Sequence, residues 1–325
     1  MKLLLKGYTL LICLVIMSII SLFVGVSQLS ITDIFHLTKE QLNILLSSRI
    51  PRTVSILISG STLALAGLIM QQMMQNKFVS PTTAGTMEWA KLGILISLVC
   101  FPQGHILLKL AFAVLCSLFG TFLFVKLIEM IRVKEVIFVP LLGIMLGGIV
   151  SSFTTFIALR TNAVQSIGNW LNGNFAIITS GRYEILYLSI PLLIITYIFA
   201  NHFTIAGMGK DFSHNLGVNY EQIVRIALFI TASITALVVV TVGTLPFLGL
   251  IVPNIISIYR GDHLKNALPH TMMLGACFVL FSDIIGRLIV YQFEINIGLT
   301  IGVFGTVIFL VLLMKGRKNY ANDFE

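Results

Sequence analysis

Long apolar blocks separated by short polar intervals repeat along the whole chain. A bilayer core takes about 20 apolar residues per helix. The blocks predict ten helical spans, at 8–26, 53–74, 83–100, 106–128, 136–158, 185–200, 223–244, 245–258, 268–289 and 297–314. The third and eighth are the weakest: one carries Glu88 and Lys91, and the other is short and contains Pro253. Without those two the count falls to eight and both termini still lie on one side. No turn-punctuated alternation of period two points to a barrel. The expected fold is an all-α polytopic membrane protein, one membrane domain over residues 1–325.

Composition agrees with this pattern. The chain is 57% hydrophobic and 10% charged, with a mean hydropathy of +0.99, too apolar for a soluble protein of this length. Thirteen of the 21 Lys and Arg fall in one set of connections and seven in the other, with Lys91 unassigned. By the positive-inside rule both termini are cytoplasmic. The net charge of +8 is then mostly topology and does not imply nucleic-acid binding. The basic start, MKLLLKGY, resembles a signal peptide's charged region, but no small-x-small site closes the following run, so a retained first helix is expected. Cys13, Cys100, Cys116 and Cys277 all lie in apolar runs and read as small buried hydrophobes. The histidines are dispersed, and no metal site is predicted.

Candidate chemistry concentrates in a few places. Residues 49–81 set Arg49 and Arg52 at the mouth of a helix rich in Gly, Ala and Ser. Its far end carries Gln71, Gln72, Gln75 and Asn76 before a Val79-Ser80-Pro81 turn. Small residues allow close helix packing, and the paired charges offer an external partner a place to dock. The topology puts Arg49, Arg52 and Arg287 outside. Asp283 and Arg287 stand at i,i+4 in the favourable order for an ion pair, and Arg287 is expected to join the Arg49/Arg52 patch. Glu88 and Lys91, three apart, are expected to neutralise each other.

A faint internal echo relates the two halves. The second span ends before a Pro turn and a short helix, and the seventh ends in Val242-Gly243-Thr244 before Leu245-Pro246 and another short helix. Five spans separate them, so matching elements point in opposite directions, as in inverted-repeat transporters. The fifth span carries Gly143, Gly147 and Ser151 at four-residue spacing, with Gly148, Ser152 and Thr155 beside them. The tenth carries Gly298, Gly302 and Gly305. Such stripes serve helix packing, or form a surface that lines a pathway or faces a second subunit; the hydroxyls of the fifth span favour the latter. Residues 165–174, around Trp170, read as an interfacial segment or an anchored loop. About residues 207–222 (GMGKDFSHNLGVNYEQ), a short helical stretch follows Gly207 and Gly209 and is broken by Leu216-Gly217-Val218. It suits a groove on another protein.

No phosphate-cradling G-x-x-x-x-G-K-[ST] and no nucleophile–base or metalloprotease pattern occurs. Work driven by ATP therefore needs another subunit. A proton-coupled carrier built on Glu88, Asp283 or Glu294 is the alternative class, and a membrane-embedded enzyme is a third.

Several stretches together resemble the FecCD family of ABC-importer permeases. They are Arg49-Ile50-Pro51-Arg52 with its Gly/Ala helix and Asn76…Pro81, Asn215-Leu216-Gly217-Val218, residues 242–260, Asp283-Ile284-Ile285-Gly286-Arg287, and Glu294-Ile295-Asn296-Ile297-Gly298. The resemblance implies the type II importer architecture in a bacterial cytoplasmic membrane. Two permease subunits, identical or related, would surround a central path, served by a cytoplasmic ATPase dimer holding ATP and Mg and by an extracytoplasmic binding protein or lipoprotein. Acidic residues of that protein would dock on Arg49, Arg52 and Arg287. Gly209, Ser213, Leu216, Gly217 and Val218 would couple to the ATPase, while Gly143, Gly147, Ser151, Gly298 and Gly302 would line the path. No cofactor is implied for the chain itself. Two places depart from the family's usual pattern: 82–90, in place of a Gly/Ser-rich run, and Asn254, in place of a histidine. Residues 77–87 are similar to the branch associated with ferric catecholate siderophores such as petrobactin or enterobactin.

Overall fold

A backbone in a bilayer core finds no water to bond, so an apolar chain of this kind must satisfy its amides within each segment. The computed structural model describes residues 6–25, 38–130, 137–261, 263–289 and 294–322, apart from the side chains of 166, 169–171, 313 and 315–322. Helix occupies every one of the predicted spans. In order they are α1 (Gly7–Phe23), α2 (Lys39–Ile44), α3 (Ile50–Met73), α4 (Thr86–Cys100), α5 (Ile106–Met130), α6 (Phe138–Arg160) and α7 (Val164–Leu171). A 3-10 turn (Tyr183–Leu188) leads to α8 (Ser189–Ile198), α9 (Ala200–Ala206), α10 (Lys210–Asn215), α11 (Tyr220–Thr241), α12 (Leu248–Arg260), α13 (Leu264–Leu288) and α14 (Ile297–Asn322). Among the described residues the one extended pairing is a parallel bridge between Asn172 and Thr244.

Among the described residues five helices are long and apolar enough to cross a membrane: Lys39–Met73, α5, α6, α11 and α13. A sixth arises if the pair Tyr183–Ile198 and Ala200–Ala206, bent by 62°, is one span. The two weakest predicted spans are the short helices α4 and α12, of 15 and 13 residues, about 22 and 20 Å long at 1.5 Å per residue. Helices α3 and α11 form the centre. Their most apolar stretches are 78% and 83% buried, against 28% for α5 and for α6.

The internal echo has a structural counterpart. Helix α3 packs on α13 and α12, while α11 packs on α5 and α4, so the second and seventh spans take exchanged neighbours. Both short helices start from a left-handed residue, Gly85 (φ 76°) before α4 and Phe247 (φ 61°) before α12. In each half a glycine-bearing helix closes on that turn. Gly143 and Gly147 of α6 meet Thr83 to Gly85, and Gly298, Gly302 and Gly305 of α14 meet Thr244, Pro246 and Phe247.

Glycine sets how closely the central helices cross. A methyl group on Gly67 would overlap the backbone of Gly249, and one on Gly60 would sit 2.9 Å from Ala276 Cα and the Gly275 carbonyl oxygen. No side chain fits at either crossing.

One boundary differs from the sequence expectation. The helix bearing the arginines does not begin near residue 53; it is continuous from Lys39 through a π-helical turn, Leu45–Arg49. A capping box starts it, with Thr38 N donating to Gln41 Oε1 at 2.9 Å and Gln41 N donating to Thr38 Oγ1 at 3.3 Å. Pro51 has no N–H for the Ser47 carbonyl four residues back. That carbonyl instead accepts from Ser180 N at 3.1 Å, and Ser180 Oγ donates to the Leu46 carbonyl at 3.1 Å. A loop from the other half fills the gap, so the helix survives its proline.

Of the residues used for topology, Lys2, Arg132 and Lys134 lie outside the described residues, as do Ser27-Gln28-Leu29 after the first span. The side chains of Trp170, Lys315, Arg317 and Lys318 are outside them too.

Candidate functional site

Because the helix begins at Lys39, the arginines stand about 15 Å along it and face neighbouring helices. Arg49 is 6% exposed, and the side chains of Arg52 and Arg287 are 11% and 4% exposed. The structure thus brings the three together as expected, but turned inward rather than standing free at a helix mouth. Arg49 Nη1 donates to the Leu22 carbonyl at 2.6 Å. Arg52 divides its guanidinium between Asp283 Oδ1 (2.8 Å) and Glu294 Oε2 (2.7 Å). Arg287 Nη2 lies 2.7 Å from Asp283 Oδ2. It also donates to Ser21 Oγ at 2.7 Å, while Nη1 donates to the carbonyls of Ser21 and Val24 at 3.0 and 2.6 Å. Charges this deep persist only when paired, and this pairing ties α1, α3, α13 and the approach to α14 into one knot.

From Arg52, α3 runs about 30 Å to its amide end. It closes there in a Schellman motif: Asn76 N donates to the Gln71 carbonyl and Gln75 N to that of Gln72. Gln75, at φ 49°, takes the left-handed position. Its Nε2 donates to the Gly207 carbonyl at 3.0 Å, and a methyl group on Gly207 would overlap the Gln72 amide. Gln71 Nε2 donates to the Leu250 carbonyl at 3.2 Å. Asn254 Nδ2 donates to the carbonyls of Lys77 and Leu250, both at 2.8 Å. The amides are thus the fittings that hold α9, α10 and α12 to the end of α3.

The segment 207–222 folds around these fittings. Gly209, at φ 112°, turns the chain from α9 into α10. Ser213 is buried and donates to the carbonyls of Gly209 (2.8 Å) and Ile205 (3.3 Å). Gly217, at φ 71°, ends α10 in a second Schellman motif, with its N–H on the His214 carbonyl and that of Val218 on Ser213. Met208, Phe212 and Leu216 are 59%, 45% and 55% exposed. Beside them a cleft of about 1080 Å³ opens between α5, α10 and α11, its charged lining including Lys126, Glu129, Lys210, Asp211, Glu221 and Arg225.

Of the stripe residues, Gly143 and Gly147 are buried in packing within the chain, as are the contacts of Gly298 with Thr244 and Gly173. Gly302 packs more loosely, 3.8 Å from Pro246 at its methyl position, and Ser151 is half-buried. The outward face of α6 instead carries Gly148, Ser152 and Thr155 among Ile144, Met145, Ile149, Phe153 and Phe156. Ser152 and Thr155 return their hydroxyls to helix carbonyls at 2.9 Å. Glu88 and Lys91 form the expected ion pair at 2.7 Å. All three carboxylates available to a proton-coupled carrier, Glu88, Asp283 and Glu294, are therefore held by bases. Among the described residues no group of three or more His, Cys, Asp and Glu gathers as a metal site.

Two partners escaped the sequence reading. Glu294 as a partner of Arg52 lies 242 positions away, and Ser21, which receives Arg287, is an unremarked serine in an apolar run. Within the arginine cluster, the local pair Asp283–Arg287 carried the spacing signal.

The comparisons with known proteins agree on one class. The model of the FecCD transport family matches residues 13–315. The petrobactin import system permease protein YclN of Bacillus subtilis (strain 168) is 54% identical over 310 residues, covering 95% of this chain and 98% of that protein. The petrobactin import system permease protein FatD of Bacillus anthracis is 38% identical, covering 94% and 90%. The ferric-anguibactin transport system permease protein FatD of Vibrio anguillarum (strain ATCC 68554 / 775) is 37% identical, covering 92% and 95%. Among solved structures, a metal-chelate type ABC transporter in an inward-facing conformation superposes with a TM-score of 0.82 at 25% identity, covering 95% of this chain and 98% of that one.

Proposed function

Since this chain belongs to the FecCD transport family, we propose that it is the permease of an ATP-binding-cassette importer for a ferric siderophore of the petrobactin class. It lies in the bacterial cytoplasmic membrane with both termini inside, which puts the arginine cluster outside and segment 207–222 in the cytoplasm. The α3 rod carries this reading: it joins a charged knot at one end to exposed apolar residues, Met208, Phe212 and Leu216, at the other. A permease that must sense a delivered ligand on one side and an ATPase on the other needs such a connection.

Acidic residues of an extracytoplasmic binding protein engage Arg49, Arg52 and Arg287. An ATPase dimer, which holds the ATP and Mg, seats α10 through the segment shaped by Gly209, Ser213, Leu216, Gly217 and Val218. A second permease subunit covers the outward faces of α6 and α14. The path runs between the two, bordered by Ser151, Gly298 and Gly302, with Gly143 and Gly147 bracing α6 from behind. The ferric chelate is cargo and needs no protein ligand set to the metal. The petrobactin assignment is supported by the two petrobactin permeases among the relatives.

The test is uptake into proteoliposomes containing the permease and its ATPase, with a petrobactin-binding protein outside and radio-iron-labelled ferric petrobactin as cargo. Accumulation is expected to require both ATP inside and the binding protein. Uptake that ignores ATP and collapses with a protonophore overturns the importer reading. ATP-dependent uptake of ferric anguibactin but not ferric petrobactin overturns the cargo.

A further inference from the structure

The arginine knot contains more polarity than it satisfies. Arg52 Nε, Arg287 Nε and Asp283 Oδ2 are buried without a hydrogen-bond partner, although Asp283 Oδ2 is close enough to Arg287 to form an ion pair. Partly satisfied buried networks are poised for a second arrangement.

The two carboxylates on Arg52 are not equivalent. Asp283 is 3% exposed and is shared with Arg287, whereas the Glu294 side chain is 27% exposed and pairs with Arg52. An incoming carboxylate reaches Glu294 first. Glu294 also heads the approach to α14. Ile295 N donates to the Gly286 carbonyl at 3.2 Å. Three residues on, Gly298 N donates to the Gly173 carbonyl at 3.4 Å, and Gly298 faces the Thr244 carbonyl. Thr244 is bridged to Asn172. One short segment thus connects Arg52 to the point where α14, residues 172–174 and the turn after α11 meet.

We propose that Glu294 is an internal stand-in for the binding protein's acid. Docking replaces it on Arg52 with a carboxylate of the binding protein, and the freed Glu294 loosens the head of α14 from Gly173 and Thr244. This rests on the docking role given to the arginines above and adds to it the residue that couples docking to the path.

The experiment uses the permease–ATPase complex in nanodiscs with a petrobactin-binding protein as probe. Glu294→Gln keeps the side chain's shape but no longer competes for Arg52, and is expected to tighten docking about tenfold at low salt. Glu294→Asp, one methylene shorter, is expected to tighten it less. Arg52→Gln is expected to weaken docking at least tenfold and to abolish the benefit of Glu294→Gln. Hydrogen exchange in a peptide covering 294–300 is expected to rise on docking, and to be raised beforehand in Glu294→Gln. Unchanged or weaker docking in Glu294→Gln, with Arg52→Gln still harmful, overturns the exchange and leaves the docking role standing. Wild-type affinity in both variants overturns both. Exchange at 294–300 that ignores docking and substitution overturns the link to α14.

Discussion

Asp283→Ala removes the carboxylate that Arg52 and Arg287 share. The two arginines then fare differently. Arg52 keeps Glu294 at 2.7 Å, so its charge stays balanced. Arg287, whose side chain is 4% exposed, keeps among the described residues only neutral hydrogen-bond acceptors, the carbonyls of Ser21 and Val24 and the Ser21 hydroxyl. Removing one member of a buried ion pair costs about 3–5 kcal/mol because the other charge is left without compensation. Three retained hydrogen bonds on Arg287 place this case near the lower bound, about 3 kcal/mol. Replacing the pair by apolar groups of similar volume is often close to neutral, so Asp283→Leu with Arg287→Met is expected to recover most of the loss. The assay is unfolding of the purified protein in mixed micelles, titrated with SDS and followed by circular dichroism. Wild-type stability in Asp283→Ala, or a double variant less stable than the single one, refutes the reasoning.

Two further outcomes are expected. Gly67→Ala places a methyl group on the Gly249 backbone, where no flexible side chain gives way; a loss of about 3 kcal/mol and a lower thermal midpoint follow, and an unchanged midpoint excludes the close α3–α12 crossing. Leu216→Asp changes a residue that is 55% exposed, so permease stability stays within about 0.5 kcal/mol while ATP hydrolysis no longer drives uptake; full coupling in this variant removes α10 from the ATPase interface.

The helices were legible because apolar periodicity is a local property. Each predicted block forms helix, and even the weak third and eighth blocks do so as α4 and α12. Local spacing also announced the ion pairs Asp283–Arg287 and Glu88–Lys91, since residues three or four apart on a helix must meet. The start of the arginine helix was not legible. The apolar run begins near residue 53, whereas the helix runs through Pro51 from Lys39, with Ser180 of a distant loop bonding the Ser47 carbonyl that the proline leaves open. The glycine stripe was ambiguous for a related reason. Gly143 and Gly147 look alike whether they face a path or a neighbour, and the turn at Thr83 to Gly85 decides for the neighbour.

By itself, then, the sequence determined which segments are helical, how apolar each is, and which charges are adjacent on a single helix. The tertiary structure decided everything that joins distant positions: Arg52 with Glu294, Arg287 with Ser21, Gln75 with Gly207, and Gly67 against Gly249. The physical reason is range. Backbone bonding and hydrophobic periodicity act over one or two helical turns, whereas a buried guanidinium must find its acid wherever packing brings one within reach. The first property is written in neighbouring residues; the second exists only once α1, α3, α13 and α14 have come together.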